Sequence, residues 1–506
     1  MRLTLGEISK IVGTVTLVRQ DQHTNGGSID SRTVKPGNIF FAMPGERTDG
    51  HEFVEAALAK GAAAAVICDR RLNSFPSLLQ PKLIAVQDPL IAMQKIAAEV
   101  RLRWGGPVVA VTGSAGKTTT KRMIAALLGT RFRVVQNEGN LNNHIGLPLS
   151  LMCLERETDV GVFEFGMSAQ EEIRALARIA APDVAVVTNV GPVHLEFFPD
   201  VDAIARAKFE LIEELHHQAF AVLNGDDRRV AKFGAGMEAR TLYFGMGDKA
   251  NFRAAQVTSK GESGEEFTLL VKPNPGVKPG EIWKGKRSVP SVLSVPTTNA
   301  VPSTDVRFHV PLMGRHNILN FLAAVAVCHI FGIPPNELQI AAKSLHAEPL
   351  RGEIVRTATG ATIINDCYNS NPEALDAALT SVAALPAQRR IAVLGEMKEL
   401  GPASESLHLR SGQRVSELGF DFLITVGEMA RPLEEGARAA GMSAENLLHV
   451  DTPEEAGERM REMLRAGDVV LLKASRGVKL EKVWERLDTA TASSGRESGK
   501  NAKLKT

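Results

Sequence analysis

Cysteine is scarce in this chain: four in 506 residues, at Cys68, Cys153, Cys328 and Cys367. They stand singly, so they form neither a disulfide framework nor a zinc-ligand spacing. Reduced thiols in a cytoplasmic protein are expected. An excess of one charge is also missing. The 59 Lys+Arg nearly cancel the 58 Asp+Glu, leaving a formal net charge of +1, without the basic surplus of a nucleic-acid binder. No apolar run approaches the roughly 20 residues of a membrane helix, so no membrane insertion is expected. The N-terminal MRLTLGEISK lacks an apolar h-region and a small-residue cleavage site, so no signal peptide is read there. No repeat of fixed period occurs. What remains is ordinary for a folded chain: 44% hydrophobic and 23% charged residues exclude wholesale disorder. At roughly 100–200 residues per domain, the length predicts about three domains.

Short apolar runs alternate with helical patterns along the chain. IFFAM (39–43), AAAVIC (63–68) and LIAVQ (83–87) read as strands and HEFVEAALAKG (51–61) as a helix, giving a small α/β unit over 1–87. The helical pattern LIAMQKIAAEVRLRW (90–104) leads to Gly105, Gly106 and Pro107. From there VVAVTG, VGVFEFG (160–166), VAVVTNVG (184–191) and FAVLN (220–224) are continuous apolar runs. Runs buried on both faces predict a parallel sheet between helices, a central unit over 88–348. TIIND, RIAVLG, FLITVG and VVLLKA repeat the plan over 349–487, predicting a doubly wound, Rossmann-like third unit. The segment 272–305 holds six of the 25 prolines and has little apolar periodicity. It reads as a surface insertion outside any core. Residues 488–506 are small and polar and read as a disordered tail.

The strongest local signal is VVAVTGSAGKTTTKRMIAALL (108–128). A strand enters Thr112-Gly113-Ser114-Ala115-Gly116-Lys117-Thr118, and a helix with Met123, Ile124, Leu127 and Leu128 on one face leaves it. Glycines allow a tight turn whose N–H groups converge on phosphate oxygens, and the helix N-terminus adds partial positive charge. Lys117 then neutralises phosphates and the Thr118 hydroxyl suits Mg²⁺. The spacing is T-G-x-x-G-K-T, with Val111 where a general phosphate loop has its first glycine. Glu164 stands among apolar residues in VFEFGMS, so its carboxylate needs a partner: a metal, a metal-bound water or a core Arg or Lys. His194 follows a strand end in TNVGPVHLEFF, where α/β proteins place ligands, although a structural role fits equally. Lys208, on the helix DAIARAKFELIEEL, reads by itself as a solvated charge.

Taken together, TGSAGKTTT, EGNLNNHIGLPLSLM, FEFGMS, TNVGPVHLEFF, GRHNILNFLAAVAV, RGE and NDCYNSNP resemble, in order, the motifs of the Mur ligase family, whose ATP-dependent members build the peptidoglycan peptide. The resemblance spans roughly residues 28 to 485. It implies three α/β domains: an N-terminal UDP-binding domain, a central ATPase domain and a C-terminal Rossmann-like domain. DSRTVKPGNIFFAMPGERTDGHEFVEAALAKGA, NDCYNSNPEAL and GEMKELG are most similar to the member that adds D-alanyl-D-alanine to UDP-N-acetylmuramoyl-tripeptide, with Ser370 in place of an Ala. The D-N-P-R motif of the diaminopimelate-adding relative is absent.

The resemblance implies that Lys117 and Thr118 hold ATP and Mg²⁺, and that Glu164 and His194 ligate Mg²⁺. It implies that Lys208 is N-carboxylated and binds a second Mg²⁺. Asn317 would contact the adenine side, and Arg351 and Asp366 would close over the phosphates and ribose. Ser31, Arg32 and Arg47 would face the UDP moiety, and Asn140 and Asn143 the muramoyl-peptide. The expected protein is a cytoplasmic monomer. Two alternatives stay open: a ligase adding the third amino acid to UDP-N-acetylmuramoyl-dipeptide, and a phosphate-loop switch or binding module. A guanine-type N-K-x-D motif is not found.

Overall fold

The structure, a computed structural model, describes residues 3–16, 18–45, 48–284 and 305–492. Three sheets carry it. The first pairs Gly27–Ser28, Ile39–Phe41, Ala64–Cys68 and Leu83–Val86 in chain order, all parallel. The helix Leu5–Val12, which the sequence reading passed over, packs beneath it. Thr4 and Glu7 cap that helix reciprocally, satisfying two backbone donors that a helix start leaves free.

The second sheet has nine strands. From Val134–Gln136 the order runs through Val160–Glu164, Val108–Thr112, Val184–Val187, Phe220–Asn224 and Thr241–Gly245 to Phe252–Ser259, all parallel. Glu265–Val271 and then Asp305–Val310 complete it as an antiparallel pair of strands at one edge. The expected parallel sheet therefore holds for seven strands and fails at one edge. Those edge strands alternate in burial, as a sheet with one wetter face requires.

The helix Pro89–Trp104 lies between the first two sheets. Its Met93, Ile96 and Ala97 join one buried cluster that runs from Leu3 and Phe41 to Val108 and Phe163. Asp88 caps its start and Gly105 ends it in the left-handed conformation, as the Asp-Pro and Gly-Gly-Pro signals predict. On the opposite face of the central sheet, the helices Lys117–Leu128 and Arg315–Ile330 bury against Val109, Val111, Val162 and Phe267.

The segment 272–284 is not the surface insertion expected of it. Val277, Ile282 and Trp283 are each 5% exposed or less. The Trp283 ring packs 5.0 Å from Phe132 and 5.6 Å from Phe331. Prolines hid this because the buried residues follow no helical or strand period. Residues 285–304 of the expected insertion lie outside the described residues.

The third sheet runs Glu353–Arg356, Thr362–Asn365, Asp468–Lys473, Arg389–Gly395, Phe422–Val426, Leu447–Val450. All pairs are parallel except the first, with helices on both faces, as a doubly wound plan demands. The final helix, Glu481–Ala492, runs past the expected tail boundary at 487, and 493–506 lie outside the described residues. Among the described residues no helix is long and apolar enough to cross a membrane.

Candidate active site

The carboxyl edges of the second and third sheets face each other across a cavity of about 990 Å³. In the central sheet Val108–Thr112 connects to Val134–Gln136 on one side, while its neighbour Val160–Glu164 connects to Val184–Val187 on the other, the reversal at which open α/β sheets bind ligands. The loop 113–116 follows it. Gly116 has φ +78° and Gly113 φ +152°. A Cβ on Gly113 would meet the Thr188 Oγ1 at 1.8 Å, and one on Gly116 would meet the Asn320 Oδ1 at 2.5 Å, so only glycine fits either position.

The strand-end loop 188–191 props this turn. Ala115 N donates to the Asn189 Oδ1 at 2.8 Å, and Gly191 N donates to the Ser114 Oγ at 2.9 Å. The Lys117 ammonium folds back onto the loop and donates to Gly113 O at 2.9 Å. Burial pushes its pKa below the usual lysine value, with Arg351 adding to the shift and Glu164 and Glu399 opposing it.

Glu164 is 3% exposed. It accepts the Thr118 hydroxyl at 2.7 Å on one oxygen and the Asn142 side-chain amide at 2.8 Å on the other. Among the described residues no Lys, Arg or His lies within salt-bridge distance of it. The nearest cations, the buried Lys117 and Lys121, act on it through space without touching it. A buried carboxylate held by one hydroxyl and one amide, with no cation in contact, is a hard-oxygen donor set matched to a cation such as Mg²⁺.

His194 takes φ +57° and pairs through Nδ1 with the Glu399 carboxylate of the third domain. That bond, more than any other cause, holds Glu399 below the usual carboxylate range. Lys208 is 1% exposed, not a solvated charge. It lies outside the cavity lining, and among the described residues its ammonium has no hydrogen-bond partner. Burial first, and the neighbouring Lys117 second, push its pKa well below the usual lysine value.

Asn317 and His316 line the cavity from the start of the helix Arg315–Ile330; the Asn317 side chain donates to Met313 O at 2.7 Å. Arg351 lies over the Tyr368 ring at 3.8 Å, and Asp366 pairs with the buried Lys473 at 2.5 Å. Ser114, Ala115, Gly116, Lys117, Thr118, Glu164, His194, Asn317, Arg351 and Asp366 thus share one cavity, with Asn140 and Asn143 at its margin. Thr112 and Gly113 stand just behind the loop. Asn143 caps the helix Gly146–Leu151 by accepting Gly146 N at 2.9 Å. Ser31 and Arg32 lie apart, on the first sheet's loop, where Arg32 is occupied by Asp30 at 2.8 Å. Arg47 lies outside the described residues.

Three site residues escaped the sequence reading. Asn142 lies in EGNLNNHIGLPLSLM between Asn140 and Asn143. Glu399 sat in GEMKELG, and Lys473 at the end of a recognised strand.

Family models match along this same frame: the Mur ligase family catalytic domain at residues 23–100, the Mur ligase middle domain at 111–328, and the Mur ligase glutamate ligase domain at 350–476. The UDP-N-acetylmuramoyl-tripeptide–D-alanyl-D-alanine ligase of Bacillus subtilis is 33% identical over 490 residues, 96% of this chain and 98% of that protein. The chain belongs to the Mur ligase family. The Escherichia coli ligase of the same name is 30% identical over 96% of this chain and 98% of its own. Crystal structures of MurF from Acinetobacter baumannii (TM-score 0.80, 25% identity, covering 96% of this chain and 99% of that one) and of MurF ligase from Thermotoga maritima in complex with ADP (0.76, 27%, 93% and 99%) share its fold. As a Mur ligase the chain is an ATP-dependent enzyme that forms C–N bonds, and its three domains are those of the family.

Proposed function

We propose that this Mur ligase joins D-alanyl-D-alanine to UDP-N-acetylmuramoyl-tripeptide, releasing ADP and phosphate. The observation that carries the reading is full-length similarity to ligases of that name, 33% and 30% identical, together with a phosphate loop, a buried carboxylate and a third-domain arginine around one cavity. The domain limits that go with it are 1–87, 88–348 and 349–487.

A carboxylate is a poor electrophile. Transfer of the γ-phosphoryl group of ATP to it gives an acyl phosphate. The amine of the dipeptide attacks the acyl carbon, phosphate leaves, and the amide forms. Bringing a carboxylate to ATP sets anions together, and the residues here answer that repulsion. Lys117 would exchange the Gly113 carbonyl for phosphate oxygens, and Arg351 would reach them from the third domain. Thr118, Glu164 and His194 would hold Mg²⁺, which supplies charge neutralisation at the phosphates when bound. Asn317 would face the adenine, and Asp366 the ribose.

Lys208 reacts with CO₂ only as the neutral amine, and its burial beside Lys117 favours that form. The resulting carbamate would be a further anionic metal ligand. Ser31, Arg32 and Arg47 would bind the UDP end, and Asn140 and Asn143 the peptide. The pairing of His194 with Glu399 supports closure of the third domain over the central one, which keeps water from the acyl phosphate.

The test is phosphate release by the purified protein. Release is expected with ATP, Mg²⁺, the UDP-muramoyl-tripeptide and D-alanyl-D-alanine together, and not when either acceptor or amine is omitted. Steady release without the amine would argue for a nucleotide switch instead.

A further inference from the structure

Lys121 lies one helical turn beyond Lys117 and is 1% exposed. Its ammonium donates to the Asn137 backbone carbonyl, with no carboxylate in salt-bridge distance among the described residues. A buried ammonium on a neutral carbonyl is a costly way to fill a core position. What it holds is the interesting part. The Asn137 side chain accepts the Glu164 N–H at 2.9 Å and donates to the Glu164 carbonyl at 3.0 Å and to Leu141 O at 2.8 Å. Asn137 therefore brackets the backbone of Glu164 on both sides. The Glu164 carboxylate returns to the helix at Thr118, at 2.7 Å. Thr118, Glu164, Asn137 and Lys121 form a closed ring that begins and ends on one helix.

We propose that Lys121 is a positioning residue that, through Asn137, fixes the Glu164 carboxylate against the Thr118 hydroxyl and so sets the affinity of that pair for a divalent cation. The proposal rests on the metal reading of Thr118 and Glu164. The ring also ties in the loop carrying Leu141 and Asn142, so the same residue steadies the partner of the other Glu164 oxygen, Asn142 Nδ2 at 2.8 Å.

The test compares wild type, Lys121→Met, Asn137→Ser and the double variant by calorimetric titration of Mn²⁺ in the presence of ADP, and by hydrogen exchange of the 160–166 segment. Met fills the volume and removes the ammonium; Ser keeps the carbonyl that Lys121 uses but removes the bracket. Each single variant is expected to weaken Mn²⁺ binding on the order of 10–100-fold, the usual effect of losing an outer-shell partner. Each should speed exchange at the Glu164 amide and lower kcat with little change in the KM for ATP. The double variant should be no worse than the weaker single one, because both cut one ring. A folded Lys121→Met protein with wild-type Mn²⁺ affinity overturns the proposal. If that variant does not fold, wild-type affinity in Asn137→Ser overturns it equally. If the wild type itself binds no Mn²⁺ with ADP, the metal reading falls and the proposal falls with it.

Discussion

Replacing Glu164 by Gln separates stability from function at the centre of the site. The carboxylate is 3% exposed, with two hydrogen bonds and no cation in contact, although the buried Lys117 and Lys121 act on it from farther off. Gln keeps both contacts. Its carbonyl accepts the Asn142 amide, and its NH₂ donates to the Thr118 oxygen, whose hydroxyl rotates. What disappears is the charge. Burying an ion costs several kcal/mol after relaxation, and two charge-assisted hydrogen bonds return only part of that. Part of the gain is offset because the attraction to Lys117 and Lys121 goes with the charge, so the metal-free variant should be more stable than wild type by at most about 1 kcal/mol, a rise of no more than about 2–4 °C in melting temperature for a domain of this size.

Cation binding should reverse the order. With Mg²⁺ and ADP at about a hundred times their dissociation constant, wild type gains about 2.7 kcal/mol, and Glu164→Gln gains far less from Mg²⁺. Turnover should fall on the order of a thousandfold, as several kcal/mol of transition-state stabilisation is lost. Calorimetric melting with and without Mg²⁺·ADP, beside a phosphate-release assay, reads all three quantities. A variant that is less stable without metal and keeps the full Mg²⁺ response would refute the reasoning.

Other predictions concern residues at and beyond this centre. Lys208→Ala should cripple turnover, with partial recovery on adding short carboxylic acids that occupy the vacated anionic position; a fully active variant, read by phosphate release, would end the carbamate proposal. Trp283→Ala should cost about 3–5 kcal/mol in denaturant unfolding, because its ring fills the space between Phe132 and Phe331; a negligible loss would return 272–284 to the surface. Burial pushes the His329 pKa from the usual 6.5 to about 4, so the unfolded chain takes up its proton first as pH falls. Stability should drop between pH 6.5 and 4 by up to about 3 kcal/mol. His329→Gln should flatten that part of the pH–stability curve, and an unchanged slope would count against it.

The parallel strands were legible because burial on both faces leaves an unbroken apolar run, as in Val108–Thr112 and Val184–Val187. The antiparallel edge escaped because FRAAQVTS and EEFTLLV mix polar and apolar residues. The phosphate loop was readable from its glycines, each of which meets a neighbour where a Cβ would stand. The burial of Lys208 is encoded in its spacing. The residue shares the buried stripe of its helix with Ile204 four residues before and Leu211 three residues after, so its burial follows from helical spacing. Glu399 carries no such signal: its partner His194 lies 205 residues away on another domain, and no local pattern encodes a contact made only when two domains meet. Asn142 and Asn143 differ in role because one side chain reaches a carboxylate and the other caps a helix, which adjacency in sequence does not decide.

A competition assay reads the identity of the two substrates. The purified protein receives ATP and Mg²⁺ with UDP-muramoyl-dipeptide and UDP-muramoyl-tripeptide together, and with D-alanyl-D-alanine, meso-diaminopimelate and lysine in equal amounts. Mass spectrometry then reads which nucleotide-linked peptide has grown and by what. The tripeptide alone should be consumed, gaining D-alanyl-D-alanine with loss of one water. Growth of the dipeptide by diaminopimelate or lysine would contradict that assignment.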